Sequence, residues 1–169
     1  MRMFETINYL VDFKNKNIEI RRYPDFNIVS TESKIDENHS NGFSEVFNYI
    51  SGANHKQEKI KMTTPVISNV IDDTLVTSFV IPKKYDKKDI PLPSNNVFLN
   101  HVEGGKFLVI RFSGKWSKKN FEKNDLLLQK YVIEHDIKIT NEKYVLRYQP
   151  PFIPSFLRRN EIMYRIDEK

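Results

Sequence analysis

The chain has 169 residues, of which 39% are hydrophobic and 12% aromatic, and it carries a formal net charge of +5. This length and this hydrophobic content predict one compact domain with its own core and exclude wholesale disorder. Cysteine is absent, which excludes disulfides, thiolate metal sites and a cysteine nucleophile, and the dispersed lysines argue against a nucleic acid partner.

The first twelve residues contain Glu5 and Asp12 and no sustained apolar run, so we do not expect a signal peptide. No stretch of the sequence approaches the roughly 20 apolar residues that a membrane-spanning helix needs. A soluble, cytoplasmic protein without an integral membrane segment is therefore expected.

The first half of the chain predicts strands, a helix and two more strands. Residues 18–23 and 26–31 alternate as strands around a turn at Pro24–Asp25. Apolar residues then recur at the i, i+3, i+4, i+7 spacing of one helix face: Phe43, Val46, Phe47 and Ile50. Ser40, Asn41 and Gly42 suit the start of this helix, and Gly52 suits its end.

Two strands are predicted after the helix, at residues 59–67 and 75–81. Proline cannot donate to a sheet ladder, so Pro65 predicts a sheet edge or a bulge. The charged, proline-containing stretch 82–93 predicts a loop.

The second half repeats this order of elements. Residues 96–102 and 106–112 flank Gly104–Gly105, which predicts a hairpin. Ser117 is placed to cap a helix that runs through about Glu134, and two strands, 144–148 and 161–166, close the chain. The sequence thus predicts a single domain over residues 1–169 with a duplicated β-α-β-β unit, the pseudo-repeats covering about 17–83 and 96–167.

Five segments, in order along residues 17–167, resemble the SOUL/heme-binding protein family. They comprise a helix that ends in a glycine turn, a Met-Thr-x-Pro-Val signature, a strand followed by prolines, a strand ending in Ser-Gly, and an aromatic–proline run before Arg-Arg-Asn-Glu. In this chain they are Phe47–Asn54, Lys59–Val66, Phe79–Pro93, Arg111–Gly114 and Tyr148–Ile162.

The resemblance implies an α+β fold. In this family a pseudo-duplicated β-α-β-β unit forms a distorted antiparallel β-barrel, with two main helices packed on the sheets. The same topology is similar to that of effector-binding domains in multidrug-responsive regulators.

The resemblance further implies a small, non-enzymatic protein that binds heme or a related tetrapyrrole in a shallow apolar pocket near the first helix. Asn48 stands where the family has a basic residue, so the nearby lysines are candidates to pair with the propionates. The expected ligand-binding residues are Phe43, Phe47, Asn48, Ile50, Lys59, Lys61, Met62, Arg158 and Glu161. His39 is the candidate axial ligand of the iron.

Each of these residues also has a purely structural interpretation. The apolar residues of the first helix, and Met62, are expected to form core in any amphipathic arrangement. Arg158 and Arg159 are expected to bridge backbone carbonyls or to pair with Glu161, which would fix the prolyl segment. The four histidines lack metal-binding spacing and favour surface or packing roles.

Other functions remain open from the sequence. The main alternative is an effector-binding module for small hydrophobic or cationic molecules, without heme, in which Glu161 provides the charge in the cleft. An enzyme is less favoured, because there is no GxSxG, Walker or HExxH motif. An exposed, apolar segment Pro150–Pro154 would favour a protein-interaction role.

Overall fold

A computed structural model describes residues 4–36, 41–93 and 96–169. Its helices and strands, in chain order, are β1 (Glu5–Thr6), β2 (Leu10–Asn15), β3 (Ile18–Tyr23), β4 (Phe26–Ser33), α1 (Phe43–Ile50), β5 (Thr63–Thr64), β6 (Val66–Ile71), β7 (Thr74–Val80), β8 (Phe98–Val102), β9 (Gly105–Phe112), α2 (Lys118–Glu134), β10 (Ile139–Arg147) and β11 (Asn160–Ile166). A short 3-10 turn covers Ser155–Leu157.

The chain forms two compact units. Unit 1 contains β1, β4, α1 and β5 to β8, and unit 2 contains β2, β3, β9, α2, β10 and β11. In each unit one helix packs on antiparallel strands. The α+β class with two main helices is therefore confirmed.

In unit 1 the strands lie in the order β6, β7, β4, β8, and every neighbouring pair is antiparallel. β1 adds a short parallel pair with β5. Helix α1 lies on β7 and β4. Its inner face joins a core that contains Val29, Val46, Tyr49 and Phe79, each at most 2% exposed.

In unit 2 the order is β2, β3, β9, β11, β10, again antiparallel throughout. Helix α2 begins where predicted, because the Ser117 hydroxyl accepts a hydrogen bond from the Asn120 backbone amide at 3.2 Å. Leu128 of α2 packs with Leu108, Ile110 and Ile162 in a second core.

The predicted hairpin at Gly104–Gly105 is wrong. β8 pairs with β4, and Phe26 faces Val102, whereas β9 pairs with β3, and Ile18 faces Ile110. The first strand of each predicted repeat therefore lies beside a strand of the other predicted repeat. Turn residues permit a hairpin but do not require one, and burial of apolar side chains decides the pairing.

The strand predicted at residues 59–67 begins later, at Thr63. The Ile60 amide donates to the carbonyl of Ile50 at the end of α1, at 2.8 Å. Because the Ile60 amide is bonded to the end of the helix, it does not donate to a neighbouring strand. Pro65 lies between β5 and β6, at a break of the kind that proline favours.

Within residues 4–36, 41–93 and 96–169, the structure contains no helix with the length and apolar character needed to cross a bilayer.

Candidate ligand-binding site

Helix α1 exposes two of its four predicted core residues. Val46 and Ile50 are buried, but Phe43 is 40% exposed and Phe47 is 45% exposed. Tyr49 occupies the buried face instead, and its hydroxyl donates to the backbone carbonyl of Pro91. The expectation that all four apolar residues share one buried face is therefore wrong.

Phe43 and Phe47 form one surface, called here the aromatic platform. Their rings lie 5.8 Å apart between centroids and only 15° from parallel. Phe43 also contacts Phe79 edge-on, with 5.2 Å between centroids, and Phe79 is 2% exposed. The platform is thus anchored on the core of unit 1 and presents flat apolar area outward.

Basic residues emerge at the C-terminal end of α1. The bond from Ile60 to Ile50 holds residues 59–61 beside the last turn of the helix. Asn54 closes the preceding turn, since its side-chain amide donates to the carbonyls of Tyr49 and Glu58. Lys59 and Lys61 flank Ile60 and are exposed.

The other predicted residues of unit 1 differ in exposure. Asn48 is exposed on α1, whereas Met62 is partly buried and packs against the core. Arg158 and Glu161 belong to unit 2.

The histidines give no metal centre in the described part of the chain. His39 lies outside the described residues. His101 contacts Asp25 and Asn27, and His135 stacks on Tyr131. His55 is exposed. Among residues 4–36, 41–93 and 96–169, no group of three or more His, Asp or Glu side chains is close enough together to hold a metal ion.

A polar cavity of about 600 Å³ lies near the N-terminus of α1. Its lining includes Glu32, Glu45, Ser33, Ser44 and Asn41. Two carboxylates make this cavity unsuitable for the propionates of a tetrapyrrole, because like charges repel in a partly desolvated space.

Glu161 is the centre of a buried ionic cluster in unit 2. It is 0% exposed, and its carboxylate accepts two hydrogen bonds from the guanidinium of Arg21, at 2.8 and 2.7 Å. Arg159 donates to the same carboxylate at 3.0 Å and to the Tyr9 hydroxyl at 2.9 Å. Arg21 also donates to Tyr23 and lies 4.1 Å from the centroid of the Tyr9 ring.

These contacts fix the charge of the cluster. Burial raises the pKa of Glu161, but the hydrogen bonds and charge of Arg21, with the charge of Arg159, outweigh it and hold this pKa below its usual value. Burial also raises the pKa of Tyr23 and of Tyr148, so both hydroxyls stay protonated. The cluster holds a carboxylate whose lone pairs are already used by arginines.

We expect the free energy of unfolding to fall at acid pH because of Glu161. The pKa of this group is lower in the folded chain than in the unfolded chain, where it is about 4.3. Its contribution is therefore complete above about pH 4.3 and is lost as the pH falls through the folded-state pKa. Urea unfolding across this range should show a shallower decline for Glu161→Gln than for the wild type, and an identical decline would contradict this role.

Arg158 fixes the prolyl segment. Its guanidinium donates to the backbone carbonyls of Ile153 and Pro151, at 2.9 and 2.8 Å. This is the structural role expected from the sequence for an arginine at this place.

Arg21 and Tyr9 could not be recognised from the sequence as members of this cluster. The available indication was the polar alternation Glu19, Arg21, Tyr23 along β3, opposite Ile18 and Ile20. Such an alternation normally marks a solvent-facing strand surface, so burial of this face could not be foreseen.

The chain matches the family described as "SOUL heme-binding protein" over residues 4–165. It is 32% identical to heme-binding protein 2 of Mus musculus over 171 aligned positions, which cover 94% of this chain and 82% of that protein. It is 31% identical to heme-binding protein 2 of Homo sapiens over 157 positions, which cover 85% and 75%.

The fold is also similar to the crystal structure of the EcmrR C-terminal domain. The TM-score is 0.67 at 10% identity, and the match covers 95% of this chain and 99% of that one. At this identity the likeness concerns the fold alone.

Proposed function

Because this chain belongs to the SOUL heme-binding protein family, we propose that it binds heme or a related tetrapyrrole on the aromatic platform of α1. The observation that carries the proposal is the near-parallel pair Phe43 and Phe47, which is left exposed by a helix that buries its other apolar residues. Relatives at about 30% identity are named for heme binding, which supports the same ligand class here.

The platform suits the macrocycle of a tetrapyrrole. A flat conjugated ring can cover both phenyl rings at once, and transfer of their exposed apolar area out of water drives association. Since Phe43 rests on Phe79, little side-chain freedom is lost when the ligand binds.

The propionates would pair with Lys59 and Lys61. Both lysines are exposed beside the end of the platform helix, and neither has an acidic partner among the ion pairs of the described residues. They would supply the charge that the helix lacks at Asn48. His39 remains the proposed axial ligand.

A binding role is preferred over a catalytic one. The family and its relatives are named for binding heme, and the chain lacks recognised catalytic motifs. Binding of a tetrapyrrole needs an apolar surface for the ring and positive charges for the propionates. The aromatic platform and the lysines beside α1 provide both.

A hemin titration followed by absorbance tests the proposal. We expect a saturable Soret shift with one hemin per chain at micromolar concentration. Lys59→Gln/Lys61→Gln should weaken binding by up to about tenfold, because two solvent-exposed ion pairs are lost. Lys87→Gln/Lys88→Gln is the matched control, since both lysines are exposed in the same unit, and it should leave the affinity unchanged.

His39→Ala completes this experiment. A changed Soret band would support axial ligation by His39, and an unchanged band would mean that the iron is held without this ligand. Absence of any saturable shift in the wild type would overturn the proposal for heme.

The alternative, an effector-binding module with Glu161 as counter-charge, has less support. A cationic ligand would have to displace Arg21 or Arg159 from a carboxylate that is 0% exposed. Loss of binding of a lipophilic cation in Glu161→Gln, with unchanged stability, would restore this alternative.

A further inference from the structure

The loop of residues 149–157, called here the prolyl loop, exposes three large apolar side chains. Phe152 is 80% exposed, Phe156 is 73% exposed and Leu157 is 61% exposed. The loop belongs to unit 2 and shares no residue with the aromatic platform. Adjacent exposed side chains of this size mark a surface that contacts something else, whereas single exposed apolar residues need no explanation.

The backbone that carries these side chains is held in place. Arg158 donates to the carbonyls of Ile153 and Pro151, and the Gly114 amide donates to the Ser155 carbonyl at 3.0 Å. Proline at positions 150, 151 and 154 restricts the chain further. Because the loop is already ordered, little conformational entropy would be lost when its apolar side chains enter another apolar phase.

Basic residues lie beside the loop, at the start of α2. The bond from Gly114 to Ser155 places the turn before α2 beside the loop, and the Arg158 guanidinium lies 4.6 Å from the centroid of the Trp116 ring. That turn and the first residues of α2 expose Lys115, Lys118 and Lys119. Lys118 forms an exposed ion pair with Glu122 at 3.7 Å, whereas Lys115 and Lys119 belong to no ion pair among the described residues.

We propose that the prolyl loop docks on an anionic lipid surface, with Phe152, Phe156 and Leu157 in the interfacial region and Lys115, Lys118 and Lys119 against the headgroups. Aromatic side chains favour the membrane–water interface, and lysines near an anionic bilayer add electrostatic attraction.

A lipid surface suits this patch better than a protein partner does. The bulky residues lie on a short loop, and Lys115 and Lys119 beside it have no acidic partner among the ion pairs of the described residues. A protein site of similar apolar area typically carries mixed polar groups at its rim. An anionic bilayer needs only the two features that are present, apolar side chains able to insert and positive charge beside them.

Co-sedimentation with vesicles tests the proposal. The full chain is mixed with vesicles of phosphatidylcholine alone or of phosphatidylcholine with phosphatidylserine, at low and at physiological salt. We expect binding that depends on phosphatidylserine and weakens with salt. Phe152→Ser/Phe156→Ser should lower the partition coefficient at least about tenfold, because two exposed aromatic rings no longer insert.

Two further variants separate the contributions. Lys115→Gln/Lys119→Gln should lower binding to the anionic vesicles by about fivefold per lysine and leave binding to neutral vesicles unchanged. Leu10→Ser/Phe13→Ser removes exposed apolar side chains of β2 in the same unit and should not change binding. Circular dichroism confirms that each variant is folded.

The proposal is overturned if the wild-type chain does not bind anionic vesicles. It is also overturned if the Leu10 and Phe13 control loses as much binding as the prolyl-loop variant, since general apolar exposure would then explain the result. Self-association in sedimentation velocity that Phe152→Ser/Phe156→Ser abolishes, without vesicle binding, would assign the loop to contact between copies of the chain.

Discussion

Replacement of Glu161 by glutamine is expected to lower the free energy of unfolding by about 3–5 kcal/mol. Glu161 is 0% exposed and is the shared anion of Arg21 and Arg159, so the substitution removes the carboxylate that accepts two hydrogen bonds from the buried Arg21 guanidinium. Arg21 retains Glu19, at 2.6 Å, as its remaining acidic partner. Urea unfolding at neutral pH measures the loss.

Glu142→Gln is the matched control for this prediction. Glu142 pairs with Arg165 in the same unit, but its side chain is 45% exposed, so the same substitution should cost no more than about 1 kcal/mol. Arg21→Met combined with Glu161→Gln should be less destabilising than the sum of the two single changes, because each single change removes the two-bond partner of a buried charge and leaves it with a single ionic partner.

The loss of unfolding free energy in Glu161→Gln shows whether Glu161 has a structural role or a ligand-binding role. A large loss of stability would mean that Glu161 serves the fold of unit 2. A loss below about 1 kcal/mol would contradict the structural role and would make Glu161 available to a cationic ligand.

Replacement of Phe47 by aspartate is expected to weaken hemin binding at least about tenfold. The substitution removes half of the aromatic platform and places a carboxylate where the proposed ligand carries its own carboxylates. Since Phe47 is 45% exposed, its folding cost should be only about 1–2 kcal/mol, mainly the lost contact with Phe43. The hemin titration and a urea unfolding curve on the same variant give the two values.

Phe156→Asp provides the control for Phe47→Asp. It introduces the same charge at another exposed phenylalanine outside the platform, and it should leave hemin affinity unchanged. If Phe47→Asp reduced stability as strongly as binding, Phe47 would be a core residue and the proposed site on α1 would be wrong. Equal affinity in Phe47→Asp and the wild type would also exclude the platform.

The helices could be predicted from the sequence because their determinants are local. Apolar spacing located α1, and Ser117 marked the start of α2 by capping it. Spacing alone could not say which apolar residues of α1 face the core. Tyr49 shares the buried face with Val46 and Ile50, and the distant carbonyl of Pro91 accepts the hydrogen bond that its buried hydroxyl needs.

The cluster around Glu161 and the strand pairing could not be predicted, because both depend on distant residues. Arg21 and Glu161 are 140 positions apart, and nothing near either of them indicates the other. The hairpin expected at Gly104–Gly105 failed for the same reason, since β8 and β9 pair with strands from the first part of the chain.

The pairing of β3 with β9 and of β4 with β8 has a consequence for fragments of this protein. A chain cut in the loop between β7 and β8 would give one piece with β3 but without its partner β9, and another with β8 but without its partner β4. Neither piece would contain all the strands of one compact unit. The two pieces should therefore remain incompletely structured alone. They should fold when they are mixed, because each piece supplies strands that the other lacks.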